Sequence, residues 1–248
     1  MSTVVKAVGE RRHYRALAGM CVTYPNPARE LAYYLSRGGR YPRTLSLRTP
    51  LGTQTVTLDA PDDFLTVNEI FCRRDYETPP DTRVVVDFGS NIGISALYFL
   101  SRSRQMRIFC FEPVPRNTRR LRANLSPFAD RYTLQEICIG ISNGDVEFGV
   151  EPTGRYGGIG IATGQTARFP MRDVNDCLAE ILSQPGIKRI DILKTDIEGY
   201  DVPVLQHIRP EFLNCIDRIY AELPHGFPLT DFRCTQRGMI ARWTREAE

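Results

Sequence analysis

Hydrophobic positions along the chain change period several times, and each change predicts a different element. Arg11–Met20 and Ala28–Ser36 carry apolar residues at helical spacing, separated by the breaker Pro25–Pro27. Residues 44–59 switch to strict alternation, Leu45 and Leu47, then Val56 and Leu58, around a Pro50–Gly52 turn. That pattern predicts a β-hairpin. Phe64–Tyr76 returns to helical spacing, with Leu65, Ile70 and Phe71 as inward candidates, until Pro79–Pro80–Asp81 breaks it.

From Arg83 onward, apolar strand-like runs alternate with helical stretches. Val84–Val86, Ile108–Phe111, Tyr132–Ile139, Ile190–Thr195 and Ile216–Ala221 read as strands. Residues 92–102 and 116–125, then Asp173–Leu182 and Val202–Ile208, read as the helices between them. Val146–Val150 and Arg168–Met171 are shorter strand candidates flanking the glycine-rich stretch 154–164, which is either a mobile lid or a long hairpin turn. The last 17 residues, with Gly238 between apolar segments, predict a closing hairpin. Strands alternating with helices require right-handed crossovers. The expected fold is α/β: a doubly wound, mostly parallel sheet over 83–248, preceded by a helical and hairpin cap over 1–82.

In open sheets of this kind, ligands bind beyond the carboxyl ends of the strands, where strand order reverses. VVVDFGSNIG (84–93) places Asp87 at the end of a buried strand, followed by Gly89 and Gly93. Gly89 lets the backbone turn sharply beside a ligand, and Asn91 can cap the helix that follows. Asp87 takes the position of the first glycine of a dinucleotide fingerprint. A carboxylate there repels a pyrophosphate and suits a positive centre such as an amine. Glu112 ends the next strand, where a carboxylate can accept hydrogen bonds from both ribose hydroxyls of an adenosine. Together Asp87 and Glu112 favour an adenosine-bearing cofactor with a cationic centre, S-adenosylmethionine.

At these residues the chain resembles the FkbM-type S-adenosylmethionine-dependent methyltransferases. The resemblance lies in VVVDFGSNIG (84–93), in FEPVPRN (111–117) with Leu121 and Asn124–Leu125, and in DILKTDIEGYDVPVL (191–205). Asn175 and Asp176 fall on the family's Leu-Asp-Asp element, and IYAELPHG (219–226) is similar to its last core strand. Asp201 stands where the family more often has Glu, and the region after Gly226 does not visibly match. The resemblance implies a Rossmann-like class I methyltransferase that binds its cofactor through Asp87, Gly89, Ser90, Asn91, Gly93, Glu112, Pro113 and Asp196. It implies O-methylation of a hydroxyl on a sugar, a glycan or a secondary metabolite, as in natural product biosynthesis. The segment before the core is expected to shape acceptor specificity.

Methyl transfer to an alcohol needs the acceptor held close to the methyl group and its proton removed. Candidates by position are Asp196 at the tip of the strand Ile190–Thr195, Glu222 at the end of the last core strand, and His225 in the loop after it. Alternation puts Lys194 on the same side as Asp196, where it either neutralises the acidic group or structures it. Asp196, Glu222 and His225 can alternatively converge on a divalent ion, for which oxygen-rich ligation suits magnesium.

Composition narrows the partners. The chain has 248 residues, 42% hydrophobic and 25% charged, which fits a globular protein rather than a disordered or fibrous one. Its longest apolar runs reach five residues, Leu31–Leu35 and Ala96–Leu100, far short of a membrane span. The N-terminus lacks the apolar stretch of a secretory signal. Seven cysteines occur without C-x-x-C spacing, and Cys110, Cys138 and Cys215 sit in apolar segments. Neither a disulfide framework nor a structural zinc site is expected, which points to a cytoplasmic protein. A formal charge of +3 is too mild to require nucleic acid, although arginines cluster at Arg11, Arg12 and Arg15 and again at Arg116, Arg119, Arg120 and Arg122. An RNA substrate would call for an aromatic-plus-basic module that is not visible before the core. The sequence also admits a non-catalytic binding protein on the same fold, or a nicotinamide-dependent oxidoreductase. A homodimer is compatible with the sequence.

Overall fold

A computed structural model describes residues 11–36, 39–151, 157–159 and 165–246. The chain divides into two compact units. One runs to Pro80 and includes Ser101–Arg104; the other takes Asp81–Leu100 and Gln105 onward.

The first unit contains helices α1 (Arg11–Thr23) and α2 (Pro27–Ser36), hairpin strands β1 (Arg43–Thr49) and β2 (Gly52–Leu58), and helix α3 (Pro61–Val67). A π-helical turn, Asn68–Cys72, continues α3. Leu45, Leu47, Val56 and Leu58 are all buried, as the alternation requires, and Leu45 pairs directly with Val56. Leu65 is only half-buried; Phe64 and Val67 take the inward positions of α3, with Ile70 and Phe71 following in the π turn. Glu30 is 1% exposed and forms ion pairs with Arg29 and Arg43. The Arg43 guanidinium also lies 4.1 Å from the centre of the Tyr33 ring.

The second unit is built on a seven-stranded sheet. Its strands are β3 (Val84–Phe88), β4 (Arg107–Phe111), β5 (Tyr132–Gln135), β10 (Ile192–Thr195), β11 (Arg218–Glu222), β12 (Phe232–Arg237) and β13 (Ile240–Arg245). They lie in the order β12-β13-β11-β10-β3-β4-β5. The five strands from β11 to β5 are parallel, and the β12–β13 hairpin predicted around Gly238 closes the edge antiparallel to β11. This is the doubly wound, Rossmann-like arrangement, with its reversal of strand order between β3 and β10. Val86, Phe88, Phe109, Phe111, Leu193 and Ile219 bury their side chains in a core shared with helix α6 (Val174–Leu182) and helix α7 (Asp201–His207). The helix expected at 92–102 is shorter, α4 (Ile94–Leu100), because Asn91 and Gly93 form a turn with positive φ before it, and the one expected at 116–125 is α5 (Pro115–Asn124).

Tyr132–Ile139 is not one strand. After β5 the chain leaves the main sheet, and β6 (Cys138–Gly140) joins a second sheet of four strands, ordered β6-β9-β7-β8. Between them Glu136 pairs with Arg122 and accepts a hydrogen bond from Thr118 at 3.0 Å. The other strands of this sheet are β7 (Gly144–Val150), β8 (Gly157–Ile159) and β9 (Thr166–Asp173). Of the glycine-rich stretch, Gly157–Ile159 forms β8, paired antiparallel with Phe148–Val150. The rest of that stretch lies outside the described residues, as does the N-terminal segment read for a secretory signal. Among the described residues, no helix is long and apolar enough to cross a membrane. Cys110 and Cys138 are buried as expected, but Cys215 is half-exposed at the end of helix α8 (Pro210–Leu213).

Candidate cofactor cleft at the strand tips

Four strand tips meet at the reversal point. Asp87 and Lys194 sit directly opposite one another on β3 and β10. Their side chains form an ion pair at 3.0 Å, and both are almost wholly buried. Ser95 donates to the other Asp87 oxygen at 2.6 Å. The Lys194 ammonium also donates to the Gly89 carbonyl at 2.7 Å and lies 3.5 Å from Asp196. Burial pulls the lysine pKa down, but Asp87 and Asp196 outweigh it and hold the group above its ordinary value. Lys194 therefore stays charged and ties both carboxylates to the turn after β3.

That turn is shaped by its glycines. Gly89 has φ 75°, and a Cβ there would lie 2.0 Å from the Asp196 carbonyl oxygen. Only glycine allows the tips of β3 and β10 to come this close. Ser90 is buried and stitches β3 to β4: its hydroxyl donates to the Asp87 carbonyl at 2.8 Å and accepts from the Phe111 amide at 3.2 Å. Gly93, with φ 84°, packs against Leu121. Asn91 holds a left-handed φ of 46° and donates its amide to Glu112 Oε2 at 3.0 Å.

Glu112, just past β4, has its other oxygen fixed by the Val114 amide at 3.0 Å and Asn117 Nδ2 at 3.2 Å. Burial pushes its carboxyl up to about 7, against the lowering effect of these three hydrogen bonds. On the β10 side, Asp201 fixes the next loop by accepting from the Thr195 hydroxyl at 2.7 Å and from the Ile197 amide at 3.3 Å. The shorter acid at this position still reaches both groups. Glu198 and Gly199 complete the loop with φ of 47° and 82°.

These tips border an open cleft. Gly89, Asn91, Glu112, Pro113, Asn117, Asp196 and Glu198 line its polar part, and Ile137, Cys138, Ile139, Phe148 and Ile159 its apolar part. Among the described residues, three carboxylates stand in the wall and no lysine, arginine or histidine does. Across the sheet the tips run from the acids after β10, through the turn after β3 and Glu112 after β4, to the apolar segment after β5.

Several residues expected to hold a cofactor do not border the cleft directly. Asp87 is sealed beneath the turn by Lys194 and Ser95, and it does not line the cleft. Ser90 and Gly93 also lie behind the wall, holding its shape. Glu222 and His225 are exposed and outside the lining, away from the cleft that Asp196 borders. Among the described residues, no three histidine, cysteine or acidic side chains gather where they could hold a metal ion. Asn117 and Glu198 lie within the sequence motifs without standing out there, whereas Phe148 and Ile159 give no sequence signal at all.

The methyltransferase FkbM domain model matches residues 87–236. The chain belongs to the FkbM methyltransferase family. This FkbM domain is 25% identical over 176 residues to Methyltransferase 1 of Beauveria bassiana, covering 62% of this chain and 71% of that protein. It is 30% identical over 138 residues to the 2-O-methyltransferase NoeI of Sinorhizobium fredii, covering 49% of this chain and 56% of NoeI. A third relative, the AMB antimetabolite synthetase AmbE of Pseudomonas aeruginosa, is 42% identical over 81 residues, 33% of this chain. The chain spans only 4% of AmbE's length.

Proposed function

We propose that the protein is an S-adenosylmethionine-dependent O-methyltransferase acting on a hydroxyl of a sugar, a glycan or a secondary metabolite. The observation that carries the cofactor assignment is the acidic make-up of the cleft wall, with Asp196, Glu198 and the hydrogen-bonded Glu112 and, among the described residues, no cationic side chain. Such a wall attracts a ligand with a positive centre and disfavours the phosphates of a nicotinamide dinucleotide. The order of the tips supports the same ligand, because a sulfonium amino acid, a ribose and an uncharged base would meet acids, Glu112 and an apolar wall in turn. The residues present therefore fit the cofactor.

S-adenosylmethionine, when bound, supplies an activated methyl group. Glu112 is the acceptor for the ribose hydroxyls, held ready by Asn91, Val114 and Asn117. Asp196 is the proposed group that takes the proton from the acceptor hydroxyl, since of the three expected bases it alone lines the cleft. Lys194 orients Asp196 from behind. O-methylation is favoured by the relation to NoeI, which carries that activity in its name.

The test is isothermal titration with S-adenosylhomocysteine, followed by methyl-transfer assays on a panel of hydroxylated sugars and secondary metabolites. Micromolar binding and transfer to a hydroxyl are expected. Well-folded protein that binds no S-adenosylhomocysteine would overturn the cofactor assignment. Transfer to a nitrogen or carbon acceptor instead would overturn the O-methylation.

A further inference from the structure

A tight turn closes the loop after β10. The Tyr200 amide donates to the Ile197 carbonyl at 3.4 Å, and the two residues between them, Glu198 and Gly199, have φ of 47° and 82°. Turns with both central residues left-handed are usually built from glycine, asparagine or aspartate. Glutamate in the first of these positions keeps a strained backbone that its own propensity does not offset. Neighbouring contacts hold the strain in place. Asp201 accepts from the Thr195 hydroxyl and the Ile197 amide, and the Asp196 amide donates to the Phe88 carbonyl at 3.1 Å. The turn sets Glu198 in the cleft wall.

The other two carboxylates of the wall are already engaged. Both oxygens of Glu112 accept hydrogen bonds from the protein, and Asp196 lies beside Lys194 and is the group assigned to the acceptor proton. Lys194 is buried, and its ammonium is held by Asp87, the Gly89 carbonyl and Asp196. Among the described residues, the wall therefore offers no cation to an anionic ligand. A compound that presents its hydroxyl to Asp196 has Glu198, two residues further on, in the same wall. An ionised carboxylate only accepts hydrogen bonds, so the group it meets must donate. A second carboxylate or a phosphate at that place would meet like charge with nothing to balance it.

Resting on the methyltransferase reading of this cleft, we propose that Glu198 selects the acceptor. It binds a hydroxyl or amine adjacent to the hydroxyl that is methylated. The substrate class is then an uncharged or cationic compound with neighbouring donors, and its carboxylated or phosphorylated counterparts are excluded.

Two sets of acceptors test this role on the full chain. One is methyl glucoside with its uronate and its amino sugar; the other is catechol with salicylate and ortho-aminophenol. Wild type is expected to methylate the neutral and amine members of at least one set and to use the carboxylate ~10–100-fold less well in kcat/KM, the size of a hydrogen bond to a charged group. Glu198→Gln should close most of that gap while S-adenosylhomocysteine affinity, measured by calorimetry, stays unchanged. Glu198→Gly should lose the same selection and melt at or above the wild-type temperature, because glycine accepts the left-handed φ without strain. It also replaces Glu198→Gln should that variant fail to fold. A preference for the carboxylates, an unchanged ranking in the variants, or no transfer to any of the six compounds by protein that binds S-adenosylhomocysteine would overturn the proposal. Loss of S-adenosylhomocysteine affinity in both variants would overturn it too, by moving Glu198 to the cofactor. A wild-type protein that binds no S-adenosylhomocysteine would remove the methyltransferase reading, and this inference with it.

Discussion

The Asp87 carboxylate and the Lys194 ammonium face each other across neighbouring parallel strands, 3.0 Å apart and shut off from solvent. The same ammonium donates to the Gly89 carbonyl, so the charge that neutralises Asp87 also fixes the turn bordering the cleft. Replacing one partner leaves the other buried and uncompensated, a loss of ~3–5 kcal/mol. Lys194→Met should therefore lower the denaturant midpoint sharply. The double variant Asp87→Asn, Lys194→Met should recover most of the stability, because no lone charge remains. A single variant as stable as wild type would show that water reaches the pair.

Glu112 makes stability depend on pH. Its carboxyl is raised from an ordinary 4.5 to about 7 in the folded chain, first by burial. A carboxyl raised in this way favours the fold when protonated, so its contribution is complete below about 4.5 and is lost as pH rises to about 7. Without ligand, unfolding free energy should fall by ~1–3 kcal/mol over that window. Glu112→Gln should flatten this part of the profile, and an unchanged slope in the variant would contradict the assignment.

Gly89→Ala meets two penalties at once, a left-handed φ and a contact of 2.0 Å with the Asp196 backbone. Stability should drop by ~2–4 kcal/mol. The separation of the two tips must also change, so S-adenosylhomocysteine affinity should fall in whatever fraction still folds. Calorimetry on the soluble protein checks both.

Asp196→Asn should keep S-adenosylhomocysteine affinity close to wild type while slowing methyl transfer ~100-fold or more. Glu222→Gln and His225→Ala alter exposed groups outside the cleft and should leave the rate nearly unchanged. The reverse ranking, measured in single-turnover assays, would move the base from β10 to the loop after β11.

In the first unit, Glu30→Ala strands the Arg43 guanidinium in a nearly dry site beside Tyr33 and Phe64. The expected cost is ~3–5 kcal/mol, read as a lower melting temperature. No change would mean that Arg43 finds water once Glu30 is gone.

Where periodicity and sheet membership coincide, the fold is legible in the sequence. The hairpin at 43–58 and the parallel strands from β3 to β11 follow from alternation and apolar runs. Tyr132–Ile139 shows the limit. Its residues favour extended backbone throughout, and nothing local marks that β5 and β6 belong to different sheets. The cleft divides in the same way. Gly89, Asn91, Glu112 and Asp196 are legible because strand-end position and charge carry a chemical meaning. Asp87 reads as a ligand contact, since a sequence cannot show that the residue opposite on another strand is Lys194. Phe148 and Ile159 stay hidden because an apolar residue facing a cleft looks the same in sequence as one facing a core.

The cleft wall is assembled from segments far apart along the chain, from Gly89 in the first core turn to Glu198 beyond β10. No stretch of the polypeptide holds the site by itself, so it exists only after β3, β4, β5 and β10 have paired. A ligand that recognises this wall therefore binds the native chain and not the unfolded one. Saturating it adds RT ln(1 + [L]/Kd) to the unfolding free energy, ~2.7 kcal/mol at a hundredfold excess over Kd. The melting temperature of this protein is thus itself a binding assay, and a compound library can be ranked against the cleft before any acceptor is known.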